Sequence, residues 1–438
     1  MTAPDTLGDF ADLLNDAPGA PRSDGRAGRI ALLVFLGVVL ATLAAAGGYV
    51  WWASAASLPA PTVVAQAPGV APGPAAAVSM PGTGQSVLAV SGGEGFLNTD
   101  GNGVLAASGD GSALPMASIT KLITALVVLD AHPLDSATDP GPTIAFTEAD
   151  TDLYDQFYVR GAVISRMPDG LRLSLHDSLA TMLLPSSANY AVAVARWGFG
   201  SEDAFVRAAR SWLSANGLEN TRIVDATGID DRNTSTAGDL LTLGRLAAAN
   251  PTIAALADTR SVRVDGAGTV TNTNGLLGTL GISGLKTGNL GDGTFNLLFT
   301  STLDVGIGSP LQIVGVRLGG ETHDSTDADV VRMLQTLKDG FHDLPVGTVG
   351  DEIGEITTAW GSQAALVLSR GATLRTWSDT PVSVVLDTSP PQTYTEGEVV
   401  GRLTWTAGER SATSDVKISG AIDEPSLWWR LTHPGELG

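Results

Sequence analysis

The 438-residue chain contains no cysteine. Disulfides, zinc–thiolate sites and a cysteine nucleophile are therefore excluded. A chain this long buries a large core and can be exported without disulfides, so the missing cysteine does not decide the compartment. Basic residues are few: 25 Lys and Arg stand against 46 Asp and Glu, a net charge of −21. Such a surface repels a phosphate backbone, which argues against nucleic acid as a partner. The five histidines, His132, His176, His323, His342 and His433, have no metal-ligand spacing and read as structural or surface residues. "NTDGNG" and "DATGIDD" are rich in oxygen donors but lack the calcium-loop spacing with its terminal Glu, so they read as turns and no metal is expected.

Charge is also missing from one long run, "IALLVFLGVVLATLAAAGGYVWWA", Ile30 to Ala53. It is long enough to cross a bilayer of roughly 30 Å as a helix. Tyr49, Trp51 and Trp52 cluster at its far end, where aromatic rings favour the interface. Arg22, Arg26 and Arg29 precede it, and no Lys or Arg follows until Lys121, which places the N-terminus in the cytoplasm and the rest outside. The alternative is a signal peptide cleaved at "ASA", Ala53 to Ala55; the run exceeds a usual signal core, which favours a retained anchor.

The length suggests two or three domains. Residues 1–29 are polar and expected to be disordered, residues 30–53 form the transmembrane helix, and residues 54–84, rich in Pro, Ala and Gly, read as an extended tether. From Gln85 the pattern alternates, with Asp100-Gly101 as a hairpin turn. Helical periodicity follows in "PMASITKLITALVVLD", "LHDSLATMLLPS", "ANYAVAVARWG", "EDAFVRAARSWLSANG" and "TAGDLLTLGRLAAAN". Strand-like runs come next, "RSVRVDG", "GLKTGNL", "FNLLFTSTL" and "LQIVGVRLGG", and the helix "DADVVRMLQTLKDGF" closes an α+β domain at 85–344. Beyond it, short alternating runs separated by Gly, Pro and Asp predict a small all-β domain at 345–438. Trp428 and Trp429 are expected to pack against that domain.

The first of those helices carries Ser118 and Lys121 on one face of its opening turn. A serine hydroxyl is a poor nucleophile until a base takes its proton. A lysine serves if its amine is neutral, which requires burial or a second cation nearby. The sequence is poor in lysine, and the candidate second cation is Lys286 of "GLKTGNL". Between the two lies "LLPSSANYA", with Ser187 and Asn189 at a helix junction. Each motif alone is weak, but the order Ser-x-x-Lys, Ser-x-Asn, Lys-Thr-Gly, each in its expected context, is specific.

On these motifs, and on "DATGIDDRNTSTAGDLLTLGRL" and "NTNGLL", the chain resembles the low-molecular-mass penicillin-binding proteins that are serine D-alanyl-D-alanine carboxypeptidases. The resemblance implies a transpeptidase domain of the penicillin-binding and β-lactamase kind, an antiparallel sheet flanked by helices with a helical subdomain, followed by the all-β domain. It implies removal of the terminal D-alanine from peptidoglycan stem peptides through an acyl-enzyme, acylation by β-lactams, and no cofactor. Carried over by position, Ser118 is the nucleophile, Lys121 its base, and Ser187 a proton relay to the leaving group. Asn189 would hold the substrate peptide. Lys286 would keep Lys121 neutral and attract the substrate carboxylate, Thr287 would hydrogen-bond that carboxylate, and Gly288 would let substrate lie along the strand. The N–H groups of Ser118 and Asn289 would form the oxyanion hole. A class A β-lactamase would need an E-x-x-L-N pattern, absent between Asn189 and Lys286. A D,D-endopeptidase of the same fold would carry the same motifs, whereas an inactive wall-binding scaffold would have no need of a neutral lysine.

Two features depart from the family. "NLGDGTFNLLFTS" lacks the usual Ala-Gly, and the register of the usual closing-helix arginine lands on Asp329. Arg317, on the strand "IVGVRLGG", or Arg332, on the closing helix, could supply that cation instead.

Overall fold

The computed structural model describes residues 25–438. The polar segment expected to be disordered lies outside the described residues up to position 24.

The larger domain is built on a five-stranded antiparallel sheet in the order 282–288, 295–303, 311–320, 85–91, 104–108. Side chains alternate across each strand, so each strand feeds two cores. Val87 and Ala89 join Leu285, Leu298, Val316 and Leu318 against the helical subdomain. Leu88 and Val90 join Leu297, Phe299 and Ile313 under the closing helix His323–Asp339, which contributes Val330, Met333, Leu334 and Leu337. Helix Ala237–Ala249 lies so close to the sheet that a Cβ on Gly244 would come within 2.8 Å of Val314 and 2.9 Å of Leu298.

The helical subdomain contains Leu175–Leu183, Ala188–Phe199 and Glu202–Ala215. Ser174 and Ser201 cap the first and third by accepting from Asp177 N–H and Ala204 N–H. Gly200, at φ 80°, ends the second in the left-handed conformation that glycine adopts freely. The short helix Glu148–Tyr158, not evident from periodicity, starts at a capping box of Thr147 and Asp150.

The C-terminal region is a six-stranded antiparallel sheet in the order 62–65, 352–357, 363–368, 410–419, 399–407, 383–388. Its core centres on Trp405, Leu403, Leu366, Val416 and Ile418. The strand Phe341–Gly347 pairs with Ala372–Trp377 and straddles the expected domain boundary at 344.

The segment expected as a free tether is instead seated on the folded body. Thr62–Ala65 pairs with Gly354–Thr357 as an edge strand. Ala76 N–H donates to Ser378 Oγ at 2.8 Å, and Ser79 N–H donates to Thr336 Oγ1 at 2.9 Å. The segment has no periodicity because it has no core face of its own. Its backbone groups satisfy a sheet edge that would otherwise be open.

One described helix, Gly25–Ala55, has the length and apolar composition to cross a membrane. At its C-terminal end Tyr49 donates its hydroxyl to Leu431 C=O at 2.7 Å, and Arg430 donates to Ala53 C=O at 3.1 Å and Ala56 C=O at 3.0 Å. A cation suits the carbonyl end of a helix. Of the two C-terminal tryptophans, Trp429 packs edge-on to Trp360, whereas Trp428 is 74% exposed.

Candidate active site

Ser118 sits in a tight turn, Ala117–Ile119, that leads into helix Thr120–Ala131. Ala117 holds φ 52°, a strained value for a residue with a Cβ. The Gly288 end of strand Ile282–Gly288 packs directly on this turn. A Cβ on Gly288 would lie 2.9 Å from Met116 C=O and 3.1 Å from Ser118 N, so glycine alone leaves the nucleophile's backbone uncrowded.

Lys121 is 1% exposed, and its Nζ donates to Ser118 Oγ at 2.8 Å and to Thr227 C=O at 2.8 Å. Burial lowers its pKa to about 7, against the opposing pull of Asp225. The carbonyl that receives Lys121 belongs to a loop shaped by Asp225. The Asp225 carboxylate accepts from Thr227 N–H at 2.7 Å, Gly228 N–H at 2.6 Å and Asp230 N–H at 3.0 Å. Asn233 ties the loop to the nucleophile helix by donating to Thr120 Oγ1 at 3.2 Å. The roles of Asp225, Thr227 and Asn233 are not announced by spacing, although Asp-x-Thr-Gly is the pattern of a carboxylate folding its own turn.

Lys286 is 2% exposed and donates to Thr287 C=O at 3.1 Å. Burial, and after it the charge of Lys121, holds its pKa well below the usual lysine value. For Lys121 the causes are burial and the opposing Asp225. Burial is the first cause for both amines, with the charge of Lys121 second for Lys286.

A cleft of about 840 Å³ opens on this group, lined by Ser118, Lys121, Thr287, Gly288 and Asn289, with Thr273 and His323 beside them. Thr287 and Thr273 share a hydroxyl hydrogen bond of 2.6 Å. Ser187, Asn189 and Lys286 are buried next to the lining residues Ser186, Ala188 and Thr287. Ser187 and Asn189 are both fully buried and engaged with Ser165: the two serine hydroxyls hydrogen-bond each other, and Asn189 accepts from Ser165 N–H at 3.1 Å while donating to its C=O at 2.8 Å. Asn189 thus pins the Ser165 segment through its side-chain amide. Ser186, at φ 73° with a buried and unpartnered hydroxyl, lines the cleft.

The two arginines that could have served as carboxylate partners are elsewhere. Arg317 is 2% exposed and donates to Asp329 at 3.0 Å, and the exposed Arg332 donates to the same carboxylate at 3.2 Å. Of the histidines expected to be structural or surface residues, His323 lines the cleft. A second cavity of about 380 Å³, lined by Asn102, Arg245, Ser283 and Thr300, contains none of the Ser–Lys groups.

A serine held against a buried amine, beside the free edge of an antiparallel sheet, defines a serine acyl-transfer site that uses lysine where other hydrolases use histidine. Residues 96–310 match the family model Peptidase_S11, D-alanyl-D-alanine carboxypeptidase. Residues 96–310 thus form a domain of that family. The chain is similar to a D-alanyl-D-alanine endopeptidase of Pseudomonas aeruginosa, 40% identical over 131 residues, which cover 30% of this chain and 38% of that one. It is also similar to D-alanyl-D-alanine carboxypeptidase DacD of Salmonella typhimurium, 26% identical over 269 residues, covering 60% of this chain and 67% of that one. The chain thus spans less than half the length of the endopeptidases it matches, 38% and 44% of the Pseudomonas aeruginosa and Escherichia coli proteins. In fold it is similar to penicillin binding protein 6B from Escherichia coli, with a TM-score of 0.52 at 19% identity over 80% of this chain and 96% of that one.

Proposed function

We propose that the protein is a serine D-alanyl-D-alanine carboxypeptidase that removes the terminal D-alanine from peptidoglycan stem peptides. The observation that carries the reading is Lys121, buried, with a pKa lowered to about 7 and its Nζ 2.8 Å from Ser118 Oγ. As a neutral amine, Lys121 takes the Ser118 proton while Oγ attacks the carbonyl of the penultimate D-alanine. The backbone N–H groups of Ser118 and Asn289 receive the developing oxyanion. The tetrahedral intermediate collapses, the leaving D-alanine amine takes a proton through Lys121 with Ser187 as relay, and water hydrolyses the Ser118 ester by the reverse proton route. Strand Ile282–Gly288 is the edge of its sheet, and the substrate peptide pairs with it as an added strand. β-Lactams acylate the same hydroxyl.

The reading also places the enzyme at a membrane, single-pass, with the N-terminus cytoplasmic and the catalytic domain outside. The apolar helix Gly25–Ala55, the arginines at its start and the Arg430 and Tyr49 contacts at its far end support this placement. With those contacts and the paired Thr62–Ala65 strand, the folded body sits close to the bilayer surface rather than on a long tether. The functional test is release of free D-alanine from a peptide ending in D-Ala-D-Ala. The wild type releases it and Ser118→Ala does not; release by Ser118→Ala would remove Ser118 from the chemistry.

A further inference from the structure

A D,D-carboxypeptidase must recognise a free carboxylate, and a buried anion demands a donor with positive charge. The two lysines at the site are buried and already engaged, Lys121 with Ser118 Oγ and Thr227 C=O, and Lys286 with Thr287 C=O. Three other cationic side chains line the cleft: Arg160, Arg232 and His323. Arg232 is bound to Asp230 through two contacts, of 2.8 Å and 2.5 Å. Arg160 lies over the Phe157 ring at 5.5 Å, on the Ala162–Val163 side of the cleft. Neither Arg160 nor His323 forms an ion pair among the described residues, so their positions in the cleft separate them. His323 is exposed and meets Phe295 edge-on at 5.8 Å. Phe295 precedes Asn296, the strand partner of Gly288, which places His323 on the Thr287–Asn289 side of the cleft.

Resting on the carboxypeptidase reading, we propose that His323, with the Thr287 and Thr273 hydroxyls, receives the substrate's terminal carboxylate, and that its protonation sets the balance between carboxypeptidase and endopeptidase action. As imidazolium it favours a chain ending in a free carboxylate. As neutral imidazole it no longer discriminates against a bond whose carboxyl side continues as an amide. Histidine changes charge in the neutral range, so the preference is conditional where an arginine's would be fixed. The charged groups beside it in the chain are Asp324 and Asp327 on its own helix, with Glu321 before them. Arg160, Asp230, Asp231, Arg232 and Lys121 also line the cleft, and Lys286 is buried beside Thr287. Asp327, whose carboxyl burial raises, is the group coupled to His323 on that helix. Loss of the preference follows loss of the imidazolium proton.

The test compares kcat/KM of the full-length, detergent-solubilised enzyme for diacetyl-lysyl-D-Ala-D-Ala and for its C-terminal amide, at about pH 5.5 and about pH 8. The ratio of the two values cancels the shared requirement for a neutral Lys121. The wild-type acid-to-amide ratio should fall about tenfold or more between the two pH values, the difference between a charge-assisted and a neutral contact. In His323→Ala the ratio should be low and independent of pH, with hydrolysis of the amide reporting an intact fold. In His323→Arg it should be high at both pH values. A His323→Ala enzyme with the wild-type ratio and pH profile overturns this inference alone. Hydrolysis of neither peptide by the wild type overturns the carboxypeptidase reading and this inference with it.

Discussion

Lys121 is the group on which the proposed chemistry turns, and its environment sets the size of the effect. An exposed lysine near 10.5 is neutral in about one molecule in 3,000 at pH 7, whereas a pKa of about 7 makes half the molecules competent. Burial thus raises the supply of neutral amine by about three orders of magnitude, equivalent to about 5 kcal/mol of differential interaction. Acylation by benzylpenicillin should therefore rise from pH 5.5 to pH 9 with an inflection near 7. Lys121→Arg, which keeps charge but offers no neutral amine, should lose acylation by roughly two to three orders of magnitude. The same burial costs stability, and the sign is fixed by proton binding. Between about pH 7 and 10.5 the unfolded chain holds the Lys121 proton and the native chain does not, so native stability rises with pH across that window. Lys121→Met removes the group, so its stability gain over wild type should be largest below pH 7 and shrink towards pH 10. The assay is stopped-flow acylation alongside chemical denaturation at a series of pH values. A flat acylation profile, or wild-type rates in Lys121→Arg, would refute the neutral-amine reasoning.

Gly288→Ala should lower acylation by about tenfold or more, because the added Cβ would press on Met116 C=O and Ser118 N at 2.9 and 3.1 Å; wild-type kinetics would mean that the turn yields without loss of geometry. For the anchor, washed membranes should retain the full-length chain after high salt, with the residues beyond 56 open to external protease, whereas a soluble chain beginning near Ala56 would show cleavage of a signal instead.

The legible parts were those written in local pattern. The α+β order, the closing helix and the short alternating strands past residue 360 follow from periodicities of 3.6 and 2, and both appear as expected. Ser118 and Lys121 were readable because i and i+3 on a helix must be neighbours. Three features were not. The Thr62–Ala65 strand has no amphipathic pattern, because its role is to satisfy a backbone edge. The pairing of the Asn189 amide with Ser165, 24 residues away, is one that no spacing announces. His323 read as an isolated surface histidine because the cleft that gives it meaning is assembled from four distant segments: the nucleophile turn, the Arg160–Val163 stretch, the Asp225 loop and the Lys-Thr-Gly strand.

Intact-mass spectrometry of the full-length protein after incubation with benzylpenicillin tests the central claim most directly. The account predicts a single covalent adduct, located at Ser118 by peptide mapping, present in the wild type and absent in Ser118→Ala. An adduct that persists in Ser118→Ala, or a wild type that acquires none, would contradict it.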